Sequence, residues 1–70
     1  MSEELRKENR VEALKRKYEA DTAIAKAELE VYFESSVGVG DHPHIIESMD
    51  LLMTQLANAK EKLECLLDHF

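Results

Sequence analysis

The 70-residue sequence has no tryptophan, one cysteine, one proline and two glycines, and aromatic residues are only 6% of it. Each scarcity excludes something. A single cysteine cannot build an internal disulfide framework, which removes the stapled secreted miniproteins and favours a reducing compartment. No apolar run approaches the ~18 residues that a membrane span needs. The start, MSEELRKENR, is polar throughout and carries no apolar signal core. The expected localisation is therefore cytoplasmic.

What is present is charge and helix-forming composition. There are 15 acidic and 9 basic residues, for a formal net charge of −6. The acidic balance argues against nucleic acid as the main partner. The charge is uneven: residues 1–20 hold five acids and six bases, and residues 21–70 hold ten acids and three bases. The only basic run is Lys15, Arg16 and Lys17. Glu12 and Glu19 neighbour it at helical spacing, so ordinary ion pairs are expected there rather than a phosphate site.

All strong punctuation falls in Val37-Gly38-Val39-Gly40-Asp41-His42-Pro43. The flanks are rich in Ala, Leu, Glu and Lys, the strong helix formers. The pattern predicts a single all-α unit, an antiparallel two-helix hairpin. Helix 1 spans about 3–36, a turn 37–42, and helix 2 about 43–69. Ser2 is expected to cap helix 1, with Glu3 and Glu4 favoured in its first turn by the helix dipole. Gly38 suits the left-handed residue after helix 1, and Asp41 or His42 suits the cap of helix 2.

Helix 2 carries a heptad stripe, Ile45, Met49, Leu52, Leu56, Ala59, Leu63, Leu66 and Phe70. Helix 1 carries Val11, Leu14, Tyr18, Thr22, Ala25, Leu29 and Tyr32, with one stutter in the spacing. In an antiparallel pair, facing residues have a constant sum of numbers. Tyr32 with Met49, Leu29 with Leu52, Ala25 with Leu56, Thr22 with Ala59, Tyr18 with Leu63, Leu14 with Leu67 and Val11 with Phe70 all sum to 81. Leu67 takes the place of Leu66 beyond the stutter. In this register Met1 to Arg10 overhang the end of helix 2.

Helix 1 has a second apolar stripe, Ala13, Ala20, Ile24, Ala27 and Val31, about 150° round from the first, and helix 2 has a flank beside its seam, Ile46, Met53 and Ala57. A two-helix hairpin cannot cover these flanks, and β-branched residues gain nothing from exposure. Self-association is expected, as a four-helix bundle, most simply a symmetric dimer, or as a higher oligomer. Size points the same way. Ordering 70 residues costs about 100 kcal/mol, and burial in a compact 8.0 kDa globule returns about 100 kcal/mol. An elongated hairpin buries less than a globule, so it gains from a partner.

Candidate chemistry is sparse. Gly38, Gly40, Asp41, His42 and His44 form a turn and helix start that could contact an anionic ligand through free backbone N–H groups. The turn lacks the third glycine and the Lys-Ser/Thr of a phosphate loop. Asp41, His42, His44 and Glu47 have some metal-ligand character, but capping and solvation account for them, and neither a metal nor a cofactor is expected. Glu61, Cys65 and His69 repeat at i, i+4, i+8, on a face read as opposite the seam. No orienting group or oxyanion hole accompanies them, so no enzyme is expected.

The turn Val37-Gly38-Val39-Gly40-Asp41-His42 and the helix end Ala59-Lys60-Glu61-Lys62-Leu63-Glu64 resemble small uncharacterised helical proteins of T4-like tailed phages. The likeness covers about half the chain. Ser35-Ser36 stand where those proteins carry Asn-Pro. The resemblance implies viral origin and the host cytoplasm, with no established activity attached. Two functional expectations follow. The first is a small acidic, non-enzymatic protein-interaction module that self-associates and acts on another protein, such as a host enzyme. Its acidic second half and the outward Leu51 would meet that partner. The second is an oligomeric protein that binds or sequesters a nucleotide-like anion at a subunit interface.

Overall fold

The computed structural model describes residues 2–34 and 44–70. They form two helices, α1 (Glu3–Glu34) and α2 (Ile45–His69), with no strand among the described residues. The helices lie alongside each other in a rod of 56 × 17 × 14 Å. Their direction is antiparallel: Lys62, late in α2, reaches Tyr18, and Val31, late in α1, lies beside Ser48 and Leu51. The chain is thus an all-α helical hairpin.

Local chemistry accounts for the ends. Ser2 Oγ accepts a hydrogen bond from the Leu5 N–H at 3.2 Å, satisfying one of the orphan donors of the first turn. Ser2→Ala is expected to cost about 0.5–1 kcal/mol locally, read as faster amide exchange at Leu5. At the start of α2 the cap position is His44, with φ −107°, ψ 19° and no side-chain cap hydrogen bond. The expected caps Asp41 and His42, and the glycines of the turn, lie outside the described residues, as do residues 35, 36 and 43. The Phe70 N–H closes α2 on the Leu66 carbonyl at 3.0 Å.

The core is one seam. Ala25 and Leu29 of α1 and Leu52, Ala59 and Leu66 of α2 are buried, flanked by half-buried Tyr18, Thr22, Tyr32, Met49, Leu56 and Leu63. Thr22 is tolerated in this seam because its hydroxyl donates to the Tyr18 carbonyl at 2.8 Å. The rod exposes 5724 Å², against about 4,450 Å² for a compact protein of this mass. Elongation leaves more surface in water than a globule would.

The far end of the seam departs from the expected layers. Leu66 is 6% exposed, whereas Leu67 is 56% exposed. The stripe of α2 therefore continues through Leu66 without stepping to Leu67. Helix 1 absorbs the stutter instead. Leu14 turns to the edge of the seam and is 41% exposed, while Lys15 becomes half-buried along its aliphatic stem. Phe70 is not a seam residue either, being 73% exposed. Its ring sits under Lys7, with Nζ 5.9 Å from the centroid. That contact carries α2 back along α1 to Lys7, so the overhang is shorter than Met1–Arg10.

Candidate functional site

The outer faces follow from the helix period. With a turn of about 100° per residue, Ile24 and Val31 stand one step before a seam position and Ile46, Met53 and Ala57 one step after, whereas Ala20 and Ala27 stand two steps away, on the outer face of α1. Ala13, Ala20, Ile24, Ala27 and Val31 of α1, and Ile46, Met53 and Ala57 of α2, are all exposed. These are the residues expected to mediate self-association, and the hairpin leaves every one of them uncovered. Leu51 and Phe33 are exposed as well.

On one side of the rod the helices leave a row of shallow grooves. The first, of about 480 Å³, is lined by Leu14, Tyr18, Asn58, Glu61, Lys62, Cys65, Leu66, His69 and Phe70. Lys62 Nζ lies 5.9 Å from the Tyr18 ring centroid across it. The next is lined by Asp21, Ile24, Ala25, Gln55, Asn58, Ala59 and Lys62. A third holds Val31, Tyr32, Leu51, Leu52 and Gln55, with Glu28 and Ser48. Leu51 thus points into a groove beside Val31 and is not an isolated outward contact. All three grooves are open to solvent on the rod's surface.

Glu61, Cys65 and His69 face this groove rather than pointing away from the seam. A row of i, i+4, i+8 residues advances about 40° per step. That drift winds it from the outer surface at Glu61 to the groove wall at His69. Cys65 is exposed. His44 is exposed and its Nδ1 lies 3.2 Å from Glu47 Oε2, an i,i+3 pair within one turn of helix. Gly38, Gly40, Asp41 and His42, expected beside it, lie outside the described residues. Among the described residues no group of three or more His, Cys, Asp or Glu side chains is gathered to hold a metal.

The basic run resolves into surface pairs. Arg16 Nε bonds Glu12 at 3.1 Å and Lys17 Nζ bonds Asp21 at 3.0 Å, both i,i+4. Asp21 joins Glu12 as a partner of the run because it stands one turn along the same face from Lys17. No described helix is long and apolar enough to cross a membrane.

These features define the class of the molecule: an all-α hairpin with one buried seam and two uncovered apolar flanks. No family model, curated protein or solved structure matches the chain.

Proposed function

We propose that the protein is a non-enzymatic protein-interaction module whose helical flanks bind further copies of itself, in a four-helix bundle or higher oligomer. The observation that supports this is the exposure of Ile24, Val31, Ile46 and Met53 on a rod with only five buried side chains among the described residues. Branched and long apolar side chains on a monomer surface add nothing to its stability. Covered by a second copy, each returns about 1.5–3 kcal/mol. The assembled form would then dock on another protein, and the acidic α2 suits a basic partner surface. The turn and helix-end resemblance to phage proteins supports a host protein as that partner.

Sedimentation equilibrium over a wide concentration range tests the self-association. The weight-average mass is expected to rise above one chain. The melting temperature should rise by several degrees per tenfold increase in concentration, because association stabilises the folded state by mass action. A cooperatively folded monomer at every concentration would refute it.

A further inference from the structure

The two apolar flanks lie on opposite sides of the hairpin. Ile24 and Val31 share grooves with Leu51, Gln55 and Asn58, which places them on the same side as that wall of α2. Ile46, Met53 and Ala57 stand about 100–140° from Leu52 in the other sense, whereas Leu51, Gln55 and Asn58 stand about 60–120° from it on the groove side. A closed two-fold bundle of four helices needs both flanks on one side, because both helices of each hairpin must turn toward a shared axis. That condition is not met.

The flanks match each other instead. Val31 with Ile46, Ile24 with Met53, and Ala20 with Ala57 each have numbers summing to 77. That constant sum is the register of an antiparallel helix pair. It sets a β-branched residue against a β-branched residue, Ile24 against Met53, and alanine against alanine. Continued toward the start of α1, the same register sets Ala13 against Glu64, Arg10 against Leu67 and Lys17 against Lys60, where Lys17 already pairs with Asp21. The apolar pairs, and not charge, carry the match.

We infer that the occupant of the α1 flank is the α2 flank of a second copy, in a heterologous contact that repeats along a row of hairpins. This rests on the self-association proposed above and specifies its geometry. A heterologous contact leaves one free face at each end, so the assembly grows into a ring or a filament and does not stop at a two-fold dimer.

Two face variants test it, with all four altered residues exposed. Ile24→Asp/Val31→Asp blocks the α1 face, and Ile46→Asp/Met53→Asp blocks the α2 face. Each alone is expected to sediment as one chain. An equimolar mixture is expected to give a 1:1 dimer of twice that mass, since one intact face of each kind survives. If either variant alone still dimerises, the contact joins like faces; this inference then fails while self-association stands. If the wild type is monomeric, both fail. A second arm does not depend on the aspartates. In a Cys65→Ser background, Ala20→Cys mixed with Ala57→Cys is expected to form the mixed disulfide at least tenfold over either homodisulfide under mild oxidation. Predominant homodisulfides would overturn the register.

Discussion

Leu29→Asp is expected to abolish the hairpin, with loss of the cooperative helical transition in far-ultraviolet circular dichroism. Leu29 is 3% exposed and faces a seam whose other buried members are all apolar. A carboxylate there would lie among apolar side chains, with the exposed Lys26 one turn back as the nearest base by spacing, and its desolvation is costly. A 70-residue domain has about 3.5–10 kcal/mol of stability in all. Loss of the leucine alone costs about 2–5 kcal/mol, and the buried charge adds several more. The separated helices have no other source of order, because isolated helices are marginal in water. The control is Leu67→Asp, on a side chain already facing solvent, which should keep the transition. If the helical signal of Leu29→Asp matches the wild type, the seam is misassigned.

The second expected result concerns a single step of register. Leu66→Ala should destabilise the hairpin by about 2–3 kcal/mol in urea unfolding. Leu67→Ala should stay within about 0.5 kcal/mol of the wild type. The two residues are neighbours of the same type, so propensity and composition cancel and only the facing direction is compared. The layer scheme with a sum of 81 continued to Leu14 and Leu67 assigns the opposite order. Equal losses would mean that the end of α2 rocks between the two arrangements.

The contrast between these two positions shows where sequence reasoning reached and where it stopped. The helices, their direction and the middle of the seam were legible, because Leu29, Leu52, Ala59 and their neighbours recur at spacings that only one helix face satisfies. The choice between Leu66 and Leu67 was not. A heptad drifts by about 20° against a straight helix, and which helix absorbs a stutter depends on packing along the whole rod. The half-buried stem of Lys15 gave no signal, since a charged residue in a stripe reads as a surface residue. The exposed flanks were legible as residues but not as geometry. Each helix read alone shows an apolar flank; only the folded pair shows that the two flanks face opposite ways. The groove position of Cys65 and His69 needed the same three-dimensional step, because the drift of an i, i+4 row is invisible until a neighbour fixes the reference direction.

The buried residues Ala25, Leu29, Leu52, Ala59 and Leu66 form a single file along the rod. A file has no interior behind it, so no inner shell of amides is shielded by a second layer. Protection against hydrogen exchange should therefore vary along the length of the rod and hardly at all with depth. It should be highest near Ala25 and Ala59 and fall toward the one end of the rod that holds both Ser2 and Phe70, like a zipper opening from that end. In this respect the molecule behaves as a one-dimensional chain of contacts. A local loosening at one end is felt less the farther along the axis a contact lies, which makes the middle of the rod the clock that sets how long the fold persists.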